Sequence, residues 1–369
     1  MKRLAVMACY SPSGELEEHK KILIQTVNRY VDFMYVVFNG RITEETYSFL
    51  ENTVKVCVRD NIGFDAGAYK DVLLNVNLNE YDELLLFNDT FYGFFYSLEE
   101  FISEAETADG VDFYGLTRHP KGKNGKGELF QEHIQSYFLF IKSRLLHSHD
   151  FSDFWRRMQY PETYTQAVME FEVAFSEYFN QKKYVGKAYS DVAILGRKEE
   201  YNTNPTLKYP YELICDLKCP VLKRKSVAIG DTNVWKALQY IRDNHLYDFD
   251  LLWNQVMEDY RNHSNGAYFN LYELEGFLSK YSRIYIYGTG VYGKGMAEYL
   301  QFRGRIFEKY IVSTKENVTD VNVIEVSELK MDDNTGIILA LKSRYTKEVL
   351  PVLLEKVQKE QLFLGNEDR

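Results

Sequence analysis

Strand-like and helix-like segments alternate over the first 90 residues, and this alternation constrains the fold more than any other feature of the chain. Apolar, strand-like runs end near Tyr10, Asn39, Asp60 and Phe87, and amphipathic segments typical of helices lie between them. Strands that alternate with helices of about 10 to 15 residues predict βαβ units and a parallel sheet. Because ligands bind at the carboxyl ends of the strands in such sheets, we expect the four following loops to share one ligand-binding rim.

The chain of 369 residues is longer than one hydrophobic core usually organises, since single cores stop growing at roughly 250 to 300 residues. Strands and helices are mixed from about residue 111 onward, residues 231–280 have a helical pattern throughout, and a fresh α/β pattern opens at Arg283. We therefore predict an α/β domain over residues 1–228, a helical linker over 229–281 and a second, small domain over 282–369.

Composition limits the kinds of partner that we expect the protein to bind and the cellular compartment in which we expect it. The net charge of -10 argues against a nucleic-acid partner, because binding the phosphate backbone needs clustered positive charge. The four cysteines have no zinc-site spacing, so we expect reduced thiols. The first apolar run ends at Tyr10, which is short for a signal peptide, and no window approaches the roughly 18 apolar residues of a membrane span. We therefore expect a cytoplasmic protein.

Polar residues follow the strand that ends at Phe87. Asn88, Asp89 and Thr90 come directly after it, where a central parallel strand would meet the rim. A carboxylate in that position suits Mg²⁺ or Mn²⁺ that carries a nucleotide diphosphate, since both ions prefer oxygen ligands. The same residues could instead cap the following turn.

A second polar cluster follows another strand, in the segment RDNIGFDAGAYKD over residues 59–71. Gly63 lets the backbone approach a ligand closely, and Asn61 and Asp65 can form hydrogen bonds with a base or a ribose. The alternative is a helix capped by Asp65. Two polar, glycine-bearing strand ends on one rim favour a nucleotide site.

These motifs together resemble a known family. The N-x-G-x-D pattern at 61–65, with LLLFNDTFYG, DFYGLT and HIQSYFLFIKSRLLHS further on, is similar to the rhamnan synthesis F family over roughly residues 1–225. The resemblance implies a GT-A-like glycosyltransferase domain that acts in bacterial cell-surface (cell wall) polysaccharide synthesis. The implied donor is a sugar nucleotide, with dTDP-rhamnose suspected. The implied acceptor is a lipid-linked polysaccharide, reached by peripheral contact with the inner face of the plasma membrane.

The resemblance also implies roles for individual residues on the donor side. The residues placed near the nucleobase or the nucleotide are Cys9, Tyr10, Ser11, Asn39, Asn61, Gly63 and Asp65. Asn88 and Asp89 would take the place of the Asp-x-Asp motif of GT-A enzymes. Asp89 would be a catalytic residue that positions the diphosphate directly or as the ligand of Mg²⁺ or Mn²⁺. Because asparagine replaces the first acid, both a metal-dependent and a metal-independent site stay open.

An inverting transferase needs one general base for the acceptor hydroxyl. The segment EFEVAFSEYFNQKKYVGKAY resembles the corresponding helix start of related inverting enzymes, which implies Glu172 as the base and Glu170 as a competitor. On an α-helix two residues apart, their side chains diverge by about 200°, so only one can face the cleft; the alternative is that both are solvated. His133 could orient the acceptor, complete a metal shell, or serve only the fold.

The final domain carries a glycine-rich turn. Gly288, Gly290 and Gly293 follow a strand and precede a helix, which is the context of the dinucleotide fingerprint, and we predict a Rossmann-like domain. The expected acid about 20 residues further on is missing, because the next strand ends in Ser313 and Thr314. The domain could bind a nucleotide or serve assembly. The alternative function is therefore a catalytically inactive, nucleotide-binding assembly protein of polysaccharide synthesis.

Overall fold

The computed structural model forms two compact units, Met1–Lys223 and Arg224–Arg369, which we call the N-terminal unit and the C-terminal unit. The segment that we expected as a helical linker falls within the C-terminal unit. Among the described residues, no helix combines the length and the apolar character needed to cross a lipid bilayer. The structure describes residues 1–124, 127–196, 203–230, 232–262, 269–315 and 322–365.

The N-terminal unit begins with the regular strand and helix alternation that the sequence predicts. Its described strands are β1 (Arg3–Tyr10), β2 (Phe33–Asn39), β3 (Lys55–Arg59), β4 (Glu83–Asn88), β5 (Phe91–Gly93), β6 (Phe113–Gly115), β7 (Arg118–His119), β8 (Gly122–Lys123), β9 (Leu129–Phe130), β10 (His133–Ile134), β11 (Phe138–Lys142), β12 (Gly186–Ala188) and β13 (Val221–Lys223). Its described α-helices are α1 (Glu18–Asn28), α2 (Glu44–Glu51), α3 (Phe64–Leu73), α4 (Leu98–Thr107), α5 (Ser143–Leu146), α6 (His149–Arg157), α7 (Tyr164–Gln166), α8 (Ala174–Gln181), α9 (Pro205–Lys208) and α10 (Pro210–Cys215). A π-helical segment, Ala167–Val173, joins α7 to α8.

Seven strands form the central sheet of this unit, in the order β12, β6, β11, β4, β1, β2, β3. Strand β11 runs antiparallel to β4 and β6, and the other neighbouring pairs are parallel. Numbered along the chain within this sheet, the order is 3-2-1-4-6-5-7 from β3 to β12. The predicted α/β class with a mostly parallel central sheet is confirmed.

The register of the parallel strands brings their carboxyl ends to one edge. Tyr10 at the end of β1 lies opposite Asn39 at the end of β2, and Asn39 lies opposite Arg59 at the end of β3. On the other side of β1, Ala8 lies opposite Asn88, the last residue of β4. The polar residues that follow these strands therefore share a rim, as the alternation predicts.

Both faces of the sheet are buried, which explains why the central strands are apolar almost throughout. Alternate residues of β1 belong to two separate clusters of buried residues, because successive side chains of a strand point to opposite faces. Helices α3, α6 and α8 contribute to one cluster, so we call that side the α3 face. Helices α1 and α4 contribute to the other cluster, so we call that side the α1 face.

The glycine- and lysine-rich segment 118–128 contains two short strands. Its described part forms two short antiparallel ladders, β7 with β10 and β8 with β9. Residues 125 and 126 lie outside the described residues. The pairing with β10 orders the segment because the backbone of β10 supplies hydrogen-bond partners that the sequence pattern does not reveal.

The C-terminal unit contains a five-stranded, fully parallel sheet in the order β16, β15, β14, β17, β18, or 3-2-1-4-5 along the chain. The strand, glycine-rich turn and helix expected after residue 282 are present. The described strands are β14 (Arg283–Tyr287), β15 (Tyr310–Val312), β16 (Val323–Glu325), β17 (Thr335–Leu339) and β18 (Leu362–Phe363). The described helices are α11 (Arg224–Ile229), α12 (Thr232–Asp243), α13 (Phe249–Asn262), α14 (Leu271–Leu278), α15 (Val291–Phe302) and α16 (Ser343–Leu354).

Candidate functional site

The end of β4 directs two consecutive polar residues to different faces of the sheet. Asn88 donates a hydrogen bond from Nδ2 to Asp65 Oδ2 at 2.8 Å, and Asp65 lies in the first turn of α3. Asp89 forms an ion pair with Lys20 of α1, with 2.8 Å between Oδ2 and Nζ. Because the two neighbours serve opposite faces, they do not act as one pair of ligands.

Asp65 is partly buried on the α3 face, where it accepts hydrogen bonds from Asn88 and from the Ala66 backbone. Burial raises its pKa above the ordinary value, and the hydrogen bonds from Asn88 and from the Ala66 backbone offset part of that shift. The charge of Glu172 raises the pKa of Asp65 further. Lys223, at the end of β13, adds a positive charge that lowers it. Helix α3 packs against the π-helical segment that carries Glu172, with the ring centroids of Tyr69 and Phe171 5.8 Å apart.

The Asp89 carboxylate is held in a buried network at the carboxyl end of β1. Its Oδ2 atom accepts a hydrogen bond from the Tyr10 backbone at 3.1 Å and lies 3.6 Å from the Cys9 thiol, which donates to it. Burial raises the pKa of the Cys9 thiol, which keeps the proton on sulfur. Lys20, only 1% exposed, also contacts Glu17 Oε2 at 2.8 Å and donates to the Tyr10 carbonyl at 2.7 Å.

This network fits poorly with Asp89 as the ligand of a divalent metal. The ammonium group of Lys20 already lies 2.8 Å from Asp89 Oδ2, and a second cation at that oxygen would meet like-charge repulsion in a buried environment. Among the described residues, no group of three or more His, Cys, Asp and Glu side chains has the arrangement of a metal site. The donor set at Asp89 therefore suits an ammonium ion better than Mg²⁺ or Mn²⁺.

Glu172 lies in the π-helical segment and faces inward, whereas Glu170 is exposed, so one of the two predicted candidates reaches the site. Its Oε2 atom accepts hydrogen bonds from the Ser136 backbone at 2.8 Å and the Ser136 hydroxyl at 2.9 Å. Its Oε1 atom lies 3.4 Å from His133 Nε2. Burial alone would raise the pKa of Glu172, but His133 and Ser136 outweigh burial and lower it to about 2.

His133 is buried between two acceptors. Its Nδ1 atom lies 3.0 Å from the Gln131 carbonyl oxygen, to which it donates, while Nε2 faces the Glu172 carboxylate. The ring of His119 stacks on it with centroids 5.2 Å apart and planes within 8°. Burial lowers the pKa of His119, so its ring is neutral near pH 7. Strand pairing between β7 and β10 places these two histidines together.

Packing contacts and hydrogen bonds hold the N-x-G-x-D turn in its conformation. Gly63 has a φ of +76°, and a Cβ atom there would lie 2.8 Å from Tyr160 Cδ1, so only glycine fits beneath that ring. Asn61 is exposed on the turn. Asn39 is buried and holds the turn from below, since its Nδ2 donates to the Phe64 carbonyl at 3.2 Å and its Oδ1 accepts from Arg59 at 2.8 Å.

The remaining predicted donor residues lie at the end of β1. Tyr10 is 45% exposed and Cys9 is buried, so only Tyr10 presents its side chain to a ligand at this edge. Ser11 is also buried, and its hydroxyl lies 3.1 Å from that of Ser13. Cys9 and Ser11 therefore contribute to the packing of the rim rather than to its open surface.

The structure adds residues to the site that the sequence did not single out, namely Lys20, His119, Ser136, Tyr164 and Lys223. Partial burial of its hydroxyl and then the charges of Glu172 and Asp65 raise the pKa of Tyr164, although its side chain as a whole is 63% exposed. The Lys223 ammonium group donates to Thr90 and lies 4.2 Å from the centroid of the Tyr137 ring. A lysine in an amphipathic helix or after a short strand carries no sequence signal for such a role.

The glycine-rich turn of the C-terminal unit has three geometrically distinct positions. Gly288 has a φ of +107°, which a side chain rarely adopts. A Cβ atom on Gly290, the N-cap of α15, would meet nothing within 4 Å, so the backbone there is open to a ligand. A Cβ atom on Gly293 would lie 1.9 Å from the Gly288 carbonyl oxygen, so the third glycine allows the helix to approach the strand.

Comparison with solved structures gives many distant similarities, among them similarities to two synthases. The 4-diphosphocytidyl-2C-methyl-D-erythritol synthase from Anaerococcus prevotii is 13% identical, with 51% of this chain and 86% of that chain covered and a TM-score of 0.34. Glucosyl-3-phosphoglycerate synthase from Mycobacterium tuberculosis, solved with Mn²⁺, uridine diphosphate and phosphoglyceric acid, is 13% identical, with 39% and 57% covered and a TM-score of 0.25. No curated protein matches the chain significantly.

Comparison with protein families gives a match that extends over both units. The model of rhamnan synthesis protein F matches residues 34–283, which is more than half of the chain. The match begins within β2 and ends at the first residue of β14, so it includes the rim residues from Asn39 onward and the helices α11 to α14. The chain therefore belongs to the rhamnan synthesis protein F family.

Proposed function

We propose that the protein is a glycosyltransferase with a GT-A-like N-terminal unit, which transfers a sugar from a nucleotide-diphospho-sugar to a growing cell-surface polysaccharide. Membership of the rhamnan synthesis protein F family supports the pathway, and dTDP-rhamnose is the proposed donor. The proposed acceptor is a lipid-linked polysaccharide, met by peripheral contact at the cytoplasmic face of the membrane.

One observation carries the proposal, namely that the ends of different strands and helices bring two distinct polar groups together. Asn88 and Asp65 form one group at the rim, and Glu172 with His133 forms the other. The π-helical segment that carries Glu172 packs against α3, whose first turn holds Asp65, and we propose that the two groups border the same space. This arrangement suits a donor nucleotide on one side and an acceptor hydroxyl on the other.

On the donor side, we propose that the nucleotide lies along the rim between the exposed Tyr10 ring and the N-x-G-x-D turn. Asn61 is exposed there, and Asp65 with Asn88 offers hydrogen-bonding groups to a ribose or a sugar hydroxyl. The ammonium group of Lys223 supplies positive charge for the diphosphate as it leaves. No step in this scheme passes through a metal ion.

On the acceptor side, we propose a single displacement with inversion. The acceptor oxygen forms a bond to the anomeric carbon, the bond from that carbon to the diphosphate oxygen breaks, and the nucleoside diphosphate leaves with the electron pair. Glu172 accepts the proton of the acceptor hydroxyl, and His133 orients the carboxylate. The lowered pKa keeps Glu172 ionised near pH 7, although it also makes the carboxylate a weaker base.

A second candidate function is favoured by the C-terminal unit, which we propose to be Rossmann-like. The strand order 3-2-1-4-5 is typical of a Rossmann-like sheet. The three glycines match the roles in the dinucleotide fingerprint, because one forms a tight turn, one leaves the backbone open to a ligand and one allows a close helix contact. These features support a nucleotide-binding assembly protein as the alternative.

Thermal unfolding of the full chain against a ligand panel separates the two functions. A ligand at 100 times its dissociation constant adds about 2.7 kcal/mol to the free energy of unfolding, which gives a clear shift in Tm. We expect dTDP-rhamnose or another sugar nucleotide to stabilise the protein, with the effect lost in Asp65→Asn and kept in Gly290→Ala. Stabilisation by NAD(H) alone, lost in Gly290→Ala, would favour the alternative.

A further inference from the structure

A buried lysine is paired with Asp89, the residue that the sequence predicts as the metal ligand. Lys20 is 1% exposed and lies in the first turn of α1. Burial disfavours an ammonium ion, and the first turn of a helix carries partial positive charge, so both the environment and the helix oppose a lysine there. Its presence requires strong compensating contacts.

Three oxygen atoms provide that compensation. The Nζ atom lies 2.8 Å from Asp89 Oδ2, 2.8 Å from Glu17 Oε2 and 2.7 Å from the Tyr10 carbonyl oxygen. Two carboxylates and a carbonyl are hard oxygen ligands of the kind that Mg²⁺ and Mn²⁺ bind, although these ions need distances of about 2.0 to 2.2 Å. The three donors of the ammonium group match these three acceptors.

The contacts also connect this cation to the rim. The Asp89 carboxylate accepts from the Tyr10 backbone amide, and Lys20 donates to the carbonyl of the same residue. The end of β1, the end of β4 and the start of α1 are thereby fixed to one another. An ion that organised these three elements would perform the same task as Lys20.

We propose that the Lys20 ammonium group takes the position of a divalent cation at the donor rim, so that the protein binds a nucleoside diphosphate without a metal ion. Lys20 then acts as a positioning residue through Asp89 and the Tyr10 backbone. The choice of a nucleoside diphosphate as the ligand rests on the proposed function. The claim that Lys20 replaces a metal ion rests on the contacts of Lys20 with Asp89, Glu17 and the Tyr10 carbonyl.

Calorimetric titrations of the full chain test the claim, with Mn²⁺ alone and with dTDP and UDP as probes. For the wild-type protein we expect no Mn²⁺ binding at Asp89, and nucleotide affinities in EDTA within about twofold of those in Mn²⁺. Binding of Mn²⁺ that Asp89→Asn abolishes, or nucleotide binding at least about tenfold tighter with Mn²⁺, would overturn the proposal.

A variant pair isolates Lys20 from general effects on α1. Lys20→Met leaves the buried Asp89 carboxylate and the partly buried Glu17 carboxylate without the ammonium group that pairs with both, so we expect a lower Tm that Mn²⁺ raises again. Lys21→Met removes a lysine that is partly exposed and paired with Glu18, and we expect it to show neither effect. A folded Lys20→Met protein whose Tm does not respond to Mn²⁺ would contradict the proposal, because a structural lysine alone predicts that result.

A failure of the claim about Lys20 can be distinguished from a failure of the proposed transferase function. If Lys20→Met does not fold, the wild-type titrations in EDTA and in Mn²⁺ still decide the question. If neither dTDP nor UDP binds in either buffer, the proposed function fails on its donor, whereas the titrations with Mn²⁺ alone test the role of Lys20 independently of any nucleotide.

Discussion

At the scale of single residues, the chemistry of the site depends on which partner each acid meets. Glu172 has hydrogen-bond donors on one oxygen and a histidine beside the other, and its pKa falls to about 2. Asp65 is partly buried with weaker compensation, and desolvation raises its pKa. Two nearby carboxylates with pKa values shifted in opposite directions are typical of sites that divide roles between acids.

Glu172→Gln tests the proposed base. The amide keeps the size of the side chain but cannot accept the acceptor proton, so we expect transfer to fall by about 10² to 10⁴-fold with little change in donor affinity. Initial rates of nucleoside diphosphate release in the presence of acceptor measure this. Glu170→Gln, at an exposed position two residues away, is the matched control. Equal rates for the two variants would remove Glu172 from the mechanism.

The low pKa of Glu172 predicts a pH dependence of stability. A carboxyl group whose pKa is lowered by folding stabilises the native state above its unfolded pKa and loses that contribution as the pH falls through the folded value. The window therefore runs from about 4.5 down to about 2. Across it we expect the wild-type protein to lose on the order of 3 kcal/mol relative to Glu172→Gln.

Urea unfolding of both proteins at pH 7 and at several values between pH 4.5 and pH 2 measures that difference. The wild-type and variant curves should converge as the acid is titrated, because protonation removes the interactions with Ser136 and His133. A constant difference across the window would mean that folding does not lower the pKa of this carboxyl group.

At the scale of elements, the glycine-rich turn shows how one helix reaches its strand. The open position at Gly290 and the crowded position at Gly293 lie within the same turn and first helical residues of α15. Packing of α15 against β14 therefore depends on the absence of a side chain at one glycine, whereas the other is free to serve a ligand.

Gly293→Ala and Gly290→Ala form a matched pair for this element. The added methyl group at 293 would lie 1.9 Å from a backbone oxygen, so we expect a loss of about 3 kcal/mol or more in the free energy of unfolding. The methyl group at 290 meets open space, and we expect less than about 1 kcal/mol. Chemical denaturation of the full chain measures both. Similar losses at the two positions would contradict the packing described for α15.

At the scale of the whole molecule, the proposed donor and acceptor groups all lie in one unit. The N-terminal unit, Met1–Lys223, contains Asp65, Asn88, Glu172 and Lys223. Lys223 is the last residue of this unit, and its strand β13 pairs with β5. The C-terminal unit has its own parallel sheet and its own buried cluster. Two cores of this kind allow separate ligand sites in one chain.

A fragment of residues 1–223 tests this division. We expect it to bind a sugar nucleotide with an affinity within about threefold of the full chain, because every residue proposed for the donor site is retained. Isothermal titration calorimetry of both proteins with the nucleotide found in the ligand panel measures this. Full-length binding that disappears in a folded fragment would place part of the donor site in the C-terminal unit.

The sequence by itself determined the order and type of the main elements. The bounds of β1 agree with the predicted strand, and the helices and strands up to β4 lie where the periodicity placed them. The sequence also predicted the glycine-rich turn between β14 and α15. These features are local, since the alternation of apolar residues within a short window reflects which side of an element is buried.

Only the tertiary structure decided what the polar residues do. Asp89 was readable as a carboxylate at a strand end, but its pairing with Lys20 depends on how α1 packs beside β1 and β4. The meeting of Glu172 with Ser136 and His133 depends likewise on contacts between distant segments. Such contacts set the charge and the hydrogen bonds of a side chain, and they leave no periodic trace in the sequence because each involves a single residue and a partner far along the chain.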